Sequence, residues 1–203
     1  DIAARLCDDD SAVRAAAVDA LVKLEDRVPE EAIKDIAARL RDDDWMVLAA
    51  AVEALAKLGD RMPEEVIKDI AARLRDDNRL VRAAAVDALA VFKDRLPGEV
   101  IKDIAARLRD DNRLVRAVAA KALAVFKDRL PEEVIKAIAG RLHDDDLYVR
   151  AVAVKALAVF KDRINDKVVR EIAARLRDDE WYVRESAYRT LKIFYESGIP
   201  LPG

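Results

Sequence analysis

Apolar residues recur at three- and four-residue steps in two successive segments of the chain. In the first segment, residues 63–74, these positions are Val66, Ile67, Ile70, Ala71 and Leu74. In the second, residues 79–92, they are Val81, Ala84, Ala85, Ala88, Leu89 and Phe92. This spacing predicts two amphipathic helices, which we call helix A and helix B. Because a short polar segment separates them, we expect an antiparallel hairpin.

Residues at the helix ends support this assignment. Pro63 fits the first turn of helix A, because the backbone N–H that proline lacks would have no partner within the helix at that position. Residues 76–78, Asp-Asp-Asn, favour the end of helix A because short polar side chains compete for backbone hydrogen bonds. Asn78 is therefore predicted to cap helix B. The equivalent positions elsewhere are Asp10, Asp44, Asn112 and Asp146.

The hairpin pattern returns with a fixed period of 34 residues, and copies begin at residues 1, 35, 69, 103, 137 and 171. A fixed period of 20–50 residues is typical of solenoids, whose units bury their apolar faces against their neighbours. We therefore expect an all-α solenoid of six hairpins in one elongated domain, 1–203, with only a partial helix A at residues 1–7. The expected units are 1–34, 35–68, 69–102, 103–136, 137–170 and 171–203, with a C-terminal tail at 198–203.

The motif Leu-x-Asp-x-[Asp/Asn]-x-x-Val-Arg, followed by Ala-Ala and Ala-Leu, resembles the HEAT and HEAT-like repeat family. Residues 6–14 and 108–116 carry it, and the resemblance extends over residues 1–196. It implies a curved superhelix with A helices on the convex side and B helices on the concave side. The sequence at 130–139, with a tryptophan before Val-Arg, is also similar to HEAT-type arrays of fungal NACHT, or NOD-like, receptors.

The HEAT resemblance also implies a ladder in which the Val-Arg arginine pairs with the loop aspartate of an adjacent unit. The ladder positions are Asp8, Asp42, Asp76, Asp110, Asp144 and Asp178 with Arg14, Arg82, Arg116, Arg150 and Arg184. Leu48 replaces the arginine of the second unit, so we expect an interruption there. A second pair recurs from Asp26-Arg27 to Asp162-Arg163. Its replacement by Glu196-Ser197 in the last unit is expected where no further repeat is available for contact.

Positions that vary on this constant frame are the candidates for function. At the start of helix B one series reads Ser11, Trp45, Arg79, Arg113, Leu147 and Trp181, and the next Ala12, Met46, Leu80, Leu114, Tyr148 and Tyr182. Two turns further on, the series is Asp19, Glu53, Asp87, Lys121, Lys155 and Arg189. The three series predict a groove with an acidic N-terminal half, a basic C-terminal half and apolar anchors at its rim. Alternatively, they only cover helix B and form a solvated face.

Near-identical units make the differences easier to interpret. The third and fourth units differ at four positions, Ala84/Val118, Val86/Ala120, Asp87/Lys121 and Gly98/Glu132. The first two look like a compensating exchange of volume, whereas the third reverses a charge. Such similarity indicates either recent duplication or design.

The charge balance limits the classes of partner. The chain has 37 Lys and Arg against 40 Asp and Glu, a net charge of −3. This balance disfavours a general nucleic-acid binder, which usually carries a basic excess. A HEAT-like enzyme acting on nucleic acid is a third hypothesis, but Asp19, Glu53 and Asp87 would repel phosphates over half of the groove. No apolar run approaches the length of a membrane span.

Catalytic and metal chemistry has little support in the sequence. His143 is the single histidine and Cys7 the single cysteine, so internal disulfides and a cysteine-based zinc site are excluded. No nucleophilic triad can be assembled. The Asp triplets at 8–10, 42–44 and 144–146 lack the glycine and distal glutamate of a calcium loop. We expect no catalysis, cofactor or metal, and a cytoplasmic location.

The primary hypothesis is therefore a non-catalytic scaffold that binds a protein or peptide along the concave B-helix face. Its anchors are aromatic and aliphatic side chains of the kinds that interfaces favour. The alternative is an array that stacks end to end without a ligand, because Ile2, Ala3 and Leu6 belong to an incomplete helix A. The last unit is more cap-like, since it carries Glu185, Ser186, Arg189, Thr190 and Lys192 in place of smaller or apolar residues.

Overall fold

The part of the chain that the structure describes folds into helices only. The computed structural model describes residues 2–24 and 27–201. Six B helices are α1 (Ser11–Val22), α3 (Trp45–Lys57), α5 (Arg79–Val91), α7 (Arg113–Val125), α9 (Leu147–Leu157) and α11 (Trp181–Glu196). Five A helices are α2 (Glu30–Ala38), α4 (Glu64–Ala72), α6 (Gly98–Ala106), α8 (Glu132–Gly140) and α10 (Asp166–Ala174). The predicted all-α fold of repeated hairpins is confirmed.

The helix boundaries refine the sequence expectations. A three-residue 3-10 turn follows each A helix, as at Arg73–Arg75, and leads into the loop to helix B. The partial helix A of the first repeat is a 3-10 helix, Ala3–Cys7, and residue 1 lies outside the described residues. Pro63 is the N-cap of α4, with ψ of 151°, and not a residue of its first turn. Its extended ψ places the first helical position at Glu64.

The predicted caps of the B helices are confirmed. The Asn78 side chain accepts a hydrogen bond from the backbone N–H of Leu80 at 2.8 Å, which satisfies a donor that has no partner within the helix. The same bond is made by Asp10, Asp44, Asn112 and Asp146. Glu180, the N-cap of α11, makes no side-chain cap bond.

The chain divides into two larger compact units, residues 1–97 and 98–203. We call these two the first and the second unit, and each 34-residue copy a repeat. In the first unit α3 packs between α1 and α5, and in the second α9 packs between α7 and α11. Each B helix from α3 onward also packs against the A helix that precedes it. The expectation of one elongated domain stays a prediction.

Equivalent positions form the core of both units. Val52 on α3 and Val154 on α9 are fully buried, as are Ile70 on α4 and Ile172 on α10. Removing such side chains from water contributes about 1.5–3 kcal/mol each. The 34-residue period therefore repeats a set of buried contacts as well as a set of helices.

The arginine–aspartate ladder is confirmed within both units. Arg116 donates from Nε and Nη2 to the two carboxylate oxygens of Asp144, at 2.9 and 2.8 Å. Its Nη1 donates to the backbone carbonyls of Asp110 and Asp111. One guanidinium therefore binds the backbone of its own loop and the carboxylate in the loop of the next repeat. The same pairing joins Arg14 to Asp42 and Arg150 to Asp178.

The ladder carboxylates are ionised in a buried setting. Burial by itself raises the pKa of the Asp144 carboxyl, but hydrogen bonds from Arg116 and from the backbone N–H of Asp146 together hold that pKa below its ordinary value. The same opposing causes, with the arginine of the preceding repeat as donor, lower the pKa of Asp42 and Asp178. The ladder therefore depends on deprotonated aspartates.

Leu48 interrupts the ladder, as predicted. It is buried and offers no hydrogen-bond donor to Asp76, the loop aspartate of the next repeat. Asp76 accepts instead from Arg73 at 3.4 Å and from the backbone N–H of Asn78 at 2.9 Å. The Asp76 side chain is 13% exposed, against 2% for Asp144. Asp76 therefore keeps the local bonds that the other ladder carboxylates make within their own loops. It lacks the bond that those carboxylates accept from the preceding repeat.

The second repeated arginine contacts the preceding repeat. Arg163 Nη2 donates to the backbone carbonyl of Leu130 at 2.7 Å. Equivalent bonds run from Arg61 to Val28 and from Arg95 to Met62. The last repeat was expected to lose this pair because no further repeat follows it. That reason is wrong, because the arginine contacts the repeat before it. Asp26, the first acidic member of the series, lies outside the described residues.

Candidate functional site

One face of each B helix stays open after the hairpins have packed. On α9 and the turn that follows it, Tyr148, Val152, Lys155 and Val159 recur at steps of three and four residues and are exposed or half-buried. This is the period that aligns side chains along one side of a helix. We call this line, together with the first residue of the helix and the equivalent positions on the other B helices, the B-helix ridge. Most of the intervening positions are buried.

In the first unit the ridge is apolar at its start and acidic at its centre. Trp45 and Met46 are each 41% exposed, and Leu80 is 37% exposed. Arg79, Glu53 and Asp87 are also exposed. Adjacent exposed apolar side chains, unlike apolar residues scattered singly, are a feature of interaction sites.

In the second unit the ridge is apolar at its start and basic at its centre. The exposed apolar residues are Leu114, Leu147, Tyr148 and Trp181, whereas Tyr182 is half-buried. Trp181 is the most open of them, at 67%. Lys121, Lys155 and Arg189 are exposed at the central position. Each unit therefore presents one sign of charge in this series, negative in the first and positive in the second.

Three predicted residues of the second unit contact one another. Lys155 Nζ lies 2.6 Å from Tyr182 Oη and 4.3 Å from the centre of the Tyr182 ring. The rings of Trp181 and Tyr182 meet edge to face, with centroids 5.6 Å apart and planes at 76°. Both arrangements are favourable for these groups. The Tyr182 ring therefore contacts both the Lys155 ammonium group and the Trp181 ring at the surface.

Arg113 is engaged in a scaffold contact, which the sequence reasoning did not expect. Its Nη1 donates to Asp146 Oδ2 at 2.9 Å, and Asp146 is the N-cap of α9. Burial raises the pKa of the Asp146 carboxyl, but the bond from Arg113 and the bonds from the N-terminal N–H groups of α9 hold it below its ordinary value. Arg113 therefore links two repeats as well as lying at the surface.

A fourth series of exposed residues was missed. Val91 is 55% exposed, Val125 46%, Val159 37% and Ile193 44%. They occupy the last position of the ridge, eleven residues after Leu80, Leu114, Tyr148 and Tyr182. Their four-residue offset from the charged series places them on the same side of the helix. The sequence does not show whether packing against a neighbouring helix covers them.

The open side of α11 has a different character. Tyr188 is 60% exposed, whereas the equivalent Val52 and Val154 are fully buried against the next B helix. Arg184 donates to the backbone carbonyls of Asp178 and Asp179 but has no carboxylate partner among the described residues. At the other end, Asp8 pairs with the exposed Arg5 of its own loop.

Residues suited to catalysis or metal binding are dispersed. His143 and Cys7 are both exposed. Over residues 2–24 and 27–201, no group of three or more His, Cys, Asp or Glu side chains could hold a metal ion. Within the same ranges, no helix has the length and apolar character needed to cross a membrane.

Comparison with solved structures places the fold among helical repeat proteins. The Escherichia coli protein YibA is similar with a TM-score of 0.74 and 19% identity over 97% of this chain and 72% of that chain. A designed armadillo repeat protein gives 0.60 and 18%, over 95% and 98% of the two chains. A chain of the Pds5–Scc1 complex gives 0.69 and 13%, over 94% of this chain and 35% of that one. At these identities the similarity concerns the fold alone.

Family comparison agrees with the geometry. No protein of curated function matches the sequence. The family model of HEAT repeats matches residues 1–90, 67–158 and 135–198, which together span nearly the whole sequence. Because this match coincides with the observed hairpins, caps and arginine–aspartate ladder, the chain belongs to the HEAT-repeat family.

Proposed function

We propose that the protein is a non-catalytic scaffold that binds a protein or peptide partner through the B-helix ridges. The observation that carries this proposal is the exposure of large apolar residues, among them Trp45, Met46, Tyr148 and Trp181, on a frame that is otherwise almost constant. Interfaces concentrate their binding energy in such residues. The charged centre of each ridge sets the orientation of the partner.

Similar folds support the proposal. One structural neighbour is described as a computationally designed armadillo repeat protein for modular peptide recognition. Another belongs to the complex of Pds5 with Scc1. HEAT and armadillo repeats are typically non-catalytic, although a fold by itself does not fix an activity.

Selection from a phage-displayed library of random peptides tests the proposal. The intact chain is the bait, and selected peptides are measured against a variant that combines Trp45→Ala, Tyr148→Ala and Trp181→Ala. We expect binding to weaken by at least about tenfold, because truncating an interface anchor commonly removes more than 1.4 kcal/mol.

A matched control separates the ridge from the rest of the surface. Lys68→Ala, Lys102→Ala and Lys136→Ala change exposed A-helix side chains and should leave peptide affinity unchanged. If the selected peptides bound the anchor variant as tightly as the intact chain, the ridge would not be the binding surface.

A second candidate function is self-association end to end. It is favoured by Arg184, whose equivalents Arg116 and Arg150 each grip the loop aspartate of a following repeat. The Asp8 carboxylate, like that of Asp76, accepts no bond from a ladder arginine among the described residues, and Asp8 belongs to the first repeat. A head-to-tail contact of two copies would pair Arg184 with Asp8. Such heterologous contacts extend into open assemblies.

Light scattering over a concentration series tests this second function. Self-association predicts a mass that rises with concentration and that Arg184→Ala returns to the monomer value. Arg177→Ala, at an exposed position of the same repeat, is the control. A constant monomer mass for the unmodified chain would rule out this candidate.

A further inference from the structure

The second unit exposes three parallel rows of side chains that were not all foreseen from the sequence. The first row is apolar or aromatic, with Leu114, Tyr148 and Tyr182. The central row is cationic, with Lys121, Lys155 and Arg189. The third is aliphatic, with Val125, Val159 and Ile193. Each row takes one residue from each of α7, α9 and α11.

We infer that this surface binds an amphipathic α-helix of a partner protein, whose contacting face carries a central line of carboxylates between apolar side chains. The inference rests on the proposed function, because it names the partner class for the ridges of one unit. It specifies an acidic helix as the partner. Binding of a nucleic acid instead is an outcome that the experiment distinguishes.

The width of the surface fits a helix. The two apolar rows are eleven residues apart on each B helix, which at 1.5 Å per residue is about 16.5 Å. An α-helix with its side chains is about 10–12 Å across, so a helix midway between the two rows comes within about 2–3 Å of each. The cations, seven residues after the first row, then lie about 2 Å from the axis of that helix in projection.

The spacing along the surface favours the same occupant. Neighbouring packed helices lie about 8–10 Å apart, so the cations recur at about that interval across the three B helices. Seven residues of a partner helix advance about 10.5 Å and return a side chain to nearly the same face. One carboxylate in each heptad would therefore oppose one cation in each repeat.

The charges on the surface indicate an acidic partner. The hydrogen-bonding partner of Lys155 is the neutral phenol of Tyr182, which leaves the positive charge uncompensated by that contact. Arg189 pairs with Glu185 at 2.7 Å, but both side chains stay largely exposed, at 73% and 42%. Exposed pairs of this kind are weak and can be exchanged for a partner carboxylate. The equivalent residues of the first unit, Glu53 and Asp87, would repel the same partner.

Fluorescence anisotropy with a designed peptide tests the inference. The probe is a labelled peptide of three heptads, with one glutamate per heptad flanked by leucines on the contacting face. A matched peptide carries glutamine at the three glutamate positions, because a lysine peptide would be attracted to the acidic ridge of the first unit. A labelled oligothymidylate serves as the nucleic-acid probe. We expect the full chain to bind the glutamate peptide at least about tenfold more tightly than the glutamine peptide, since opposed charges are attractive.

Two charge-reversed variants locate the binding. Lys155→Glu changes the central cation, and Lys136→Glu makes the same change at an exposed position on α8. Lys155→Glu should weaken glutamate-peptide binding by about tenfold or more, and Lys136→Glu by less than about twofold. Far-ultraviolet circular dichroism should show that both variants keep the helical fold and that the peptide gains helicity on binding.

The possible outcomes separate this inference from the proposed function. Equal binding of the two peptides, tighter binding of oligothymidylate, no effect of Lys155→Glu or no gain of peptide helicity would each overturn the acidic-helix inference. The scaffold function would stand in those cases if library-selected peptides still required Trp45, Tyr148 and Trp181. It would fail if those peptides ignored the anchors, whatever the glutamate peptide did.

Discussion

The loop edge and the B-helix ridge of this protein follow opposite rules. At the loop edge the same residue types recur, and the ladder carboxylates of Asp42, Asp144 and Asp178 are 2–3% exposed. On the ridge the equivalent positions change between tryptophan, arginine, leucine and tyrosine, and most are exposed. Buried ion pairs tolerate little change because either partner alone would be left charged and buried. The loop edge, made of the loops that carry the ladder aspartates, therefore holds the repeats together, whereas the ridge can vary without exposing a buried charge.

Breaking the ladder should reduce stability more than any single change on the ridge. Asp144→Ala leaves the Arg116 guanidinium, 15% exposed, without its carboxylate. We expect a loss of about 3 kcal/mol in the free energy of unfolding. Urea unfolding followed by circular dichroism measures it. Asp145→Ala, at the exposed neighbouring position, should cost less than about 0.5 kcal/mol, and equal losses in the two variants would contradict the contrast.

Acid should weaken the same contacts without any mutation. The pKa values of Asp42, Asp144 and Asp178 are lower in the folded protein than their ordinary value of 3.8. The unfolded chain therefore binds protons first as the pH falls. The stabilisation by these groups is fully present above the unfolded-state pKa values and is lost as the pH falls through the folded-state ones.

Urea unfolding at several pH values checks this dependence. The fall in stability below about pH 4 should be smaller in Asp144→Asn than in the unmodified chain, because asparagine has no proton to bind at that site. Identical pH profiles for the two proteins would show that the ladder carboxylates are not the groups responsible.

Filling the gap at Leu48 sharpens the comparison with a smaller expected effect. Leu48→Arg should place a guanidinium near Asp76, and a double-mutant cycle with Asp76→Ala, measured by urea unfolding, should give a coupling energy of about 1.5–3 kcal/mol. The change in unfolding free energy of Leu48→Arg alone should stay within about 1 kcal/mol, because these charge-assisted hydrogen bonds offset the lost burial of leucine. Leu48→Lys, which cannot bind both oxygens in a fork, should give a smaller coupling energy. A coupling energy near zero for Leu48→Arg would contradict the ladder geometry.

The ridge should show the smallest effect on stability. Trp45→Ala should change the free energy of unfolding by no more than about 0.5 kcal/mol, because the side chain is 41% exposed. Leu55→Ala, on the buried side of the same helix, should cost about 2–5 kcal/mol. Thermal and urea unfolding of the two variants measure the contrast. A large loss in Trp45→Ala would assign that residue to the scaffold.

Much of the fold could be predicted from the sequence because its determinants are local and repeated. The hairpins and the caps of the B helices at Asn78 and its equivalents follow from residue type and register, whereas the resemblance to HEAT repeats implied the interruption at Leu48. The contact of Arg163 with the carbonyl of Leu130 could not be predicted, because a backbone acceptor leaves no mark in the sequence. The sequence also did not predict the bond of Arg113 to Asp146. The capping role of the Asp146 side chain was enough to explain that residue, although its second oxygen is available to Arg113.

The ridge marks the boundary between what the sequence and the tertiary structure decide. The sequence alone determined the 34-residue period, the all-α hairpins and the residues that vary, and its resemblance to HEAT repeats implied the ladder positions. Only the tertiary structure decided that Val125, Val159 and Ile193 are exposed while Val154 is buried, because a valine in a helix with apolar neighbours can face either side. Packing of one B helix against the next fixes that choice. It also determined that the variable residues of each unit form a surface with a single sign of charge at its centre.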